Sequence, residues 1–294
     1  SAPKINNADM KSYGWEMELS WRDRIEDFNY GVRFTLADGQ RKVLKYPNES
    51  GDIYSWYNNK LDGTIWGYTT VGIAQTQEEM NAHLANNKPN WGSNWGAGDI
   101  MYADLNGDGE VTSGSKTLND HGDLKVIGNS YARYNFGFTV DGSWRGLDFS
   151  IFLQGTMKRD YWLDGPYFWG ASGDEWQSAC FTEHLDYWTP EHTNAYYPKP
   201  YFGNIKKNQE VQSGYLQNAA YLRVKNVQVG YTLPKSWTKK AAMESVRFYV
   251  SGDNLLTWTG ISSIFDPETL GGDWGPGKLY PLQRTLSVGV NVNF

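Results

Sequence analysis

The strongest constraint on the fold is an alternation of apolar and polar residues with a period of two, which is clearest at the end of the chain. Leu286, Val288, Val290, Val292 and Phe294 fall on one side of the final segment, and small or polar residues fill the positions between them. Successive side chains of a β-strand point to opposite faces, so this pattern predicts a strand with one apolar face. We therefore expect an all-β fold.

The same pattern occurs in six other segments of the 294-residue chain. They lie at about residues 15–22, 28–36, 134–140, 147–154, 221–233 and 246–251. The segment 221–233 changes phase near Asn226, as a β-bulge would produce. Seven strands of about ten residues have the length of transmembrane β-strands. A soluble β-sandwich gives the same alternation with its apolar face inward, so alternation alone leaves both architectures open.

The lengths of the connections separate these two architectures. Three short connections alternate with three long ones, and the long ones cover about residues 46–130, 158–220 and 257–282. In an up-and-down sheet this order puts every long loop at the same end. Outer-membrane β-barrels have short periplasmic turns and long extracellular loops, so the pattern favours a transmembrane barrel. Single-chain bacterial barrels have even strand numbers from eight upward, so seven strands predict further barrel strands outside residues 1–294.

Composition argues against several classes of function. The net charge of −6 and the pI of about 5.3 argue against a nucleic-acid partner, because phosphate binding needs a basic surface. The single cysteine, Cys180, permits no internal disulfide. The four histidines lack metal-ligand spacing, and the acidic residues at 174, 175 and 183 are interpreted as solvated loop residues, not as a glycosidase pair. We therefore predict no enzyme.

The segment 104–111, Asp-Leu-Asn-Gly-Asp-Gly-Glu-Val, matches the first half of a calcium-binding loop. Ser115 stands where such a loop carries its bidentate glutamate, so the motif is incomplete. A later carboxylate could close the site, and a main-chain carbonyl could contribute. The alternative is an Asx-rich turn without metal. We predict a structural Ca²⁺ that pins an extracellular loop, with the ligands Asp104, Asn106, Asp108, Glu110 and Asp123.

Aromatic residues are concentrated in the long connections. Exposed Trp and Tyr rings stack on sugar rings, and neighbouring acidic and amide side chains accept or donate hydrogen bonds to hydroxyls. The alternative is that the rings pack the loops together or against a partner protein. The predicted substrate-binding residues are Trp91, Trp95, Trp162, Tyr167, Trp169, Trp176 and Trp274.

Several short motifs follow one another along nearly the whole chain. They are Gly-Asp-Ile at 98–100, Asp-Tyr-Trp-Thr-Pro-Glu at 186–191, Tyr-Leu-Arg-Val-Lys-Asn at 221–226, Gly-Tyr-Thr-Leu-Pro at 230–234, Gly-Asp-Asn-Leu-Leu-Thr at 252–257 and Phe-Asp-Pro at 265–267. Each is unspecific alone. Together, in this order and spacing, they resemble the C-terminal region of the SusC/RagA-type TonB-dependent outer-membrane transporters of Bacteroidetes-like bacteria.

The resemblance implies that residues 1–294 are the C-terminal part of a larger barrel of the 22-stranded type, with the plug and the N-terminal strands outside this chain. It also implies contact with outer-membrane lipid, energy from a TonB complex and a SusD-like lipoprotein lid. The function expected from it is import of an oligomeric nutrient, and the aromatic loops favour a glycan. A peptide importer of the RagA type, a surface carbohydrate-binding β-sandwich module and a glycoside hydrolase with a dockerin-like calcium motif are the alternatives.

Overall fold

The main element of the structure is one antiparallel sheet of seven strands. The structure is a computed structural model, and it describes residues 6–170, 180–201, 203, 206–271, 275 and 277–294. The strands are β1 (Asp9–Ile25), β2 (Phe28–Lys45), β3 (Arg133–Trp144), β4 (Leu147–Lys158), β5 (Tyr221–Thr232), β6 (Ser245–Thr259) and β7 (Thr285–Asn293). Each strand pairs with the next along the chain, so the order in the sheet is the order in the sequence. The predicted all-β, seven-stranded antiparallel architecture is confirmed, and the sheet is not closed on itself.

The register of the sheet gives it one apolar and one polar face. Directly paired residues across β1 to β5 on the apolar face are Trp21, Val32, Val140, Ile151 and Val227. The neighbouring row on the other face is Arg22, Gly31, Asp141, Ser150 and Gln228. The apolar face is not covered by the described protein, and the Val288 side chain on β7 is 83% exposed. An uncovered apolar face of this extent fits a lipid-facing surface, and the polar face is then the inner face of a barrel wall.

The short and long connections alternate as predicted. The β1–β2 and β3–β4 turns contain two residues each, and Arg145 and Gly146 both have positive φ, as a type I′ hairpin requires. The third short connection carries the helix Lys235–Thr238 and the 3₁₀ turn Lys239–Ala241. The long connections are named loop A (residues 46–132), loop B (159–220) and loop C (260–284). All three leave the sheet at the end opposite the short turns.

Two strands are longer than the alternation predicts. β1 has 17 residues and β2 has 18, whereas a tilted strand needs only about 9–11 residues to cross a bilayer. Near loop A the pairs Tyr13–Gln40 and Ser12–Arg41 carry polar partners, which hides the strand from a search for apolar alternation. The bulge predicted near Asn226 is confirmed, because the register of β5 shifts at Lys225 against β6.

Loops A and B contain short elements of their own. In loop A, Thr64–Gly67 pairs with Lys125–Asn129, Thr70–Ile73 with Ile100–Tyr102, and Lys88–Pro89 with Glu110–Val111, and helix α1 spans Gln77–Leu84. In loop B, Asp160–Tyr161 pairs with Gln217–Asn218, and short helical turns span Pro166–Trp169, Thr182–Leu185 and Lys206–Gln209. In the part of the chain that the structure describes, no helix has the length and apolar character needed to cross a membrane.

Candidate functional site

The three long loops pack together into one body, called here the loop body, which has its own hydrophobic core. Its buried residues are Ile53, Tyr68, Ile100, Tyr102, Val111 and Leu124 from loop A, Leu163, Phe168, Trp169, Tyr197, Tyr215 and Ala219 from loop B, and Ile261, Phe265 and Leu270 from loop C. None of these core residues belongs to β1–β7. The loops therefore form an ordered structure at one end of the sheet, where their surface can act as a binding surface.

Most of the aromatic residues predicted to bind substrate lie in or against this core. The Trp91 ring lies 4.6 Å from that of Tyr68 and 5.2 Å from that of Tyr102, and Trp169 lies 4.8 Å from Tyr215. Trp95 and Trp162 are half-buried against the same core. Packing between the loops, the alternative considered from the sequence, accounts for these four tryptophans.

Tyr167 is the described member of the predicted set that is most open to solvent. Its side chain is 38% exposed, and its ring stacks on that of Phe181 at 5.8 Å. Trp176 and Trp274 lie outside the described residues. Substrate contact by the loop aromatics therefore stays a prediction, and it rests most directly on Tyr167.

A buried ion pair joins loop A to loop B. The Lys207 ammonium lies 2.7 Å from Asp99 Oδ2, and neither side chain is exposed to solvent. Asp99 also accepts hydrogen bonds from the Gly96 N–H and the Asn208 amide. Lys207 donates to the carbonyl of Asn94. Because every partner of both charges is supplied by the loops, the pair can form only when loops A and B are folded against each other.

The sequence reasoning missed this pair. The Gly-Asp-Ile motif at 98–100 is the one signal that pointed to Asp99, and nothing local pointed to Lys207 as its partner. The Lys207 ammonium also lies 4.2 Å from the centre of the Tyr201 ring and 5.4 Å from that of Trp95. These two contacts give the half-buried Trp95 a structural role in the loop body, as one wall around a buried cation.

The predicted calcium loop is a tight turn held by its own carboxylates. Asp104 accepts hydrogen bonds from the N–H groups of Asn106, Gly107 and Gly109. These bonds, that from Gly109 first, hold the pKa of Asp104 below its usual value. Asp108 accepts from the Glu110 N–H and from the side-chain amide of Asn106. The carboxylate oxygens are the hard ligands that Ca²⁺ prefers, and each keeps an unused lone pair.

Asp123 closes this turn from below. The residue is fully buried, and its carboxylate accepts hydrogen bonds from the N–H groups of Leu105 and Thr112. Among the described residues, no group of three or more His, Cys, Asp or Glu side chains converges in a way that could hold a metal ion. The turn is thus satisfied by backbone donors as it stands, and the calcium site stays a prediction.

The polar face of the sheet carries ion pairs between neighbouring strands. Arg133 on β3 pairs with Asp38 on β2 through both guanidinium nitrogens that face it. At the other end of the sheet, the Arg247 Nε donates to Asp148 Oδ2 at 2.9 Å, linking β6 to β4. Such pairs satisfy charges on a wall that faces water, and they leave the inner face polar without a strong net charge.

Comparison with known proteins finds several relatives across almost the whole chain. TonB-dependent receptor P3 of Formosa agariphila is 26% identical and is matched over 98% of this chain and 29% of its own length. TonB-dependent receptor P26 of the same organism is 25% identical, over 98% and 30%. TonB-dependent receptor SusC of Bacteroides thetaiotaomicron is 22% identical, over 98% and 27%. No family model matches the chain.

The fold has matches among solved structures. The structure of the RagAB peptide transporter superposes with a TM-score of 0.69 at 21% identity, over 98% of this chain and 30% of that one. The RagAB peptide importer in its open-open state gives a TM-score of 0.68 at 20% identity. This chain spans about 30% of the length of the relatives it matches. By sequence and by fold, the chain belongs to the TonB-dependent receptors of the SusC/RagA type and represents a portion of their β-barrel.

Proposed function

We propose that the chain forms part of the wall and of the outer mouth of an outer-membrane importer, which takes up an oligomeric nutrient with energy from a TonB complex. The observation that carries the proposal is the loop body, a packed structure at one end of a membrane-type sheet. A preformed body at the mouth offers a wall to a large solute at little ordering cost, because its loops are already folded. Residues 1–294 act in this proposal as one unit of the barrel.

The substrate class we propose is an oligosaccharide. Tyr167 and Tyr196 in loop B expose 38% and 43% of their surface, and exposed tyrosine rings provide flat faces for sugar rings. Tyr196 lies beside a shallow cleft between loops B and C that also contains Glu183, Asp186 and Ser263. These carboxylates and this hydroxyl are suitable partners for sugar hydroxyls. The solved relative named a peptide transporter resembles this chain in fold, so peptide uptake is the outcome against which the test must discriminate.

The partner we propose is a SusD-like lipoprotein that covers the loop body. Loop B presents apolar side chains at its surface, with Leu185 69%, Phe181 38% and Tyr187 37% exposed. A cluster of this kind next to polar groups is typical of protein interfaces. Opening and closing of such a lid would admit substrate while the loop body and the wall remain folded.

Uptake by the full-length receptor tests this function. Cells that lack the receptor gene would be complemented with the intact receptor or with the Tyr167→Ala variant, and would be offered fluorescent oligosaccharides and peptides. We expect TonB-dependent uptake of one oligosaccharide class, weakened by Tyr167→Ala and unchanged by Tyr54→Ala, which alters an exposed tyrosine of loop A. Uptake of peptides alone, or mass spectrometry showing only peptides bound to the purified receptor, would contradict the glycan assignment.

A further inference from the structure

Loop C folds back onto the inner face of the sheet. Its segment 266–268 reaches Arg223 and Lys225 of β5, which lie on the polar face, opposite in phase to the apolar Leu222 and Val224. A loop that only connected β6 to β7 would have no need to contact β5, which is not adjacent to β7 in the sheet. Loop C therefore passes over the inner side of the wall near its outer end.

Arg223 is the centre of this contact. Its side chain is only 3% exposed, and its Nη2 donates to both carboxylate oxygens of Asp266, at 2.8 and 2.9 Å. Its Nη1 lies 2.7 Å from Glu268 Oε1, close enough for an ion pair although the angle is poor for a hydrogen bond. Its Nε donates to Thr257 Oγ1 on β6 at 2.8 Å. Planar two-point pairing of this kind fixes both position and orientation of the bound carboxylate.

Further contacts hold the same segment from its other side. Lys225 Nζ lies 2.9 Å from Glu268 Oε2. Arg159 of loop B donates from Nη1 to the Pro267 carbonyl at 3.3 Å, and the Tyr161 hydroxyl donates to the Leu270 carbonyl at 3.1 Å. Leu270 is itself buried in the core of the loop body. The acidic segment is thus gripped between the barrel wall and the loop body.

We propose that Arg223 is a positioning residue that clamps loop C against the inner face, and that loop C held in this way is a fixed constriction that limits the size of solutes passing along this wall. The clamp joins three elements that are far apart in the sequence, so its release would free loop C without removing the sheet. The inference rests on the proposed import function for its purpose, since a constriction matters only where solutes pass.

The mobility of loop C tests the clamp. A nitroxide attached to Ser263→Cys in the full-length receptor, with Cys180→Ser to remove an exposed native thiol, reports local motion by electron paramagnetic resonance. Arg223→Met and the double variant Asp266→Asn with Glu268→Gln should each give a more mobile spectrum, and Arg223→Lys an intermediate one. The control is Asp27→Asn, which removes the exposed Arg145–Asp27 pair at the opposite end of the sheet and should leave the spectrum unchanged.

The size of probe that reaches the inner face tests the constriction. A cysteine at Ser150, on the inner face, would be labelled from outside with maleimide-polyethylene glycols of increasing mass. The proposal expects Arg223→Met and the double variant to accept larger probes than the parent. An unchanged size limit overturns the constriction, and an unchanged nitroxide spectrum overturns the clamp.

Heat-modifiable migration on a gel would check that each variant barrel has assembled. If Arg223→Met does not assemble, the double variant, which keeps the arginine and removes both charges it pairs with, gives the deciding result. Neither measurement needs a substrate or a TonB complex. A failure of the import proposal would therefore be seen separately, as an absence of uptake by the unaltered receptor.

Discussion

Tyr249 on β6 lies against Gly289, its directly paired neighbour on β7, so closely that a Cβ atom added to Gly289 would lie 2.3 Å from the Tyr249 Cζ. On the other side of Tyr249, a Cβ at Gly230 would lie 2.4 Å from an Nη of Arg247. The two large side chains of the inner face therefore occupy the space that two glycines leave open.

This relationship predicts a non-additive pair of substitutions. Gly289→Ala should destabilise the β6–β7 pairing by about 1–3 kcal/mol, the usual cost of overpacking. Gly289→Ala combined with Tyr249→Ala should cost less than the sum of the single changes, because the clash is then absent. Chemical unfolding of the refolded receptor measures both. Additive effects would show that the ring does not depend on the glycine.

Removal of one partner of the buried Asp99–Lys207 pair should loosen the loop body. Lys207→Met leaves Asp99 buried without its counter-ion, which typically costs about 3–5 kcal/mol. Hydrogen exchange in loops A and B should then become faster while exchange in β1–β7 stays unchanged. Lys240→Met, at an exposed position outside the loop body, is the matched control. Unchanged loop exchange in Lys207→Met would contradict the view that this pair joins the two loops.

The strands could be predicted from sequence because the two sides of a barrel wall impose opposite demands on alternate residues. Val288 and Val290 must suit lipid, whereas Ser287 and Asn291 must suit water, and that contrast is visible in a single segment. The bulge at Lys225 was visible for the same reason, since one extra residue shifts the phase of the alternation.

The interior of the loops could not be predicted, because it depends on contacts between distant segments. Asp99 and Lys207 lie in different loops, and no local pattern pairs them. The identity of Trp91 indicates a large ring but not whether that ring faces a core or a ligand. Alternation was also silent about the outer ends of β1 and β2, where both faces are polar.

The calcium prediction can be tested on the turn itself. Millimolar calcium should slow hydrogen exchange across residues 104–111 and raise the melting temperature of the loop body. Asp104→Asn with Asp108→Asn should abolish both effects, because two of the predicted ligands lose their charge. Asp164→Asn, an exposed carboxylate of loop B, should leave them unchanged. Identical exchange with calcium and with a chelator would show that hydrogen bonds alone hold the turn.

A charge placed on the apolar face should be costly in a way that depends on the side. Val288→Arg should destabilise the assembled barrel by about 2–4 kcal/mol if the residue lies near the bilayer midplane. Ser287→Arg, one position away on the inner face, should cost much less because that side faces water. Refolding into lipid vesicles measures the difference. Equal costs at the two positions would indicate that the faces are not in different solvents.

The central claim is that the apolar face of the sheet lies in lipid and the polar face lines a lumen. The most direct test attaches an environment-sensitive fluorophore to Val290→Cys or to Asn291→Cys in the full-length receptor, reconstituted in vesicles that contain brominated lipid. Adjacent residues of one strand differ in little except the side to which they point. We expect strong quenching by brominated acyl chains at position 290 and little at position 291. Equal quenching at both positions, or none at 290, would contradict the assignment of this chain as a wall of a transmembrane barrel.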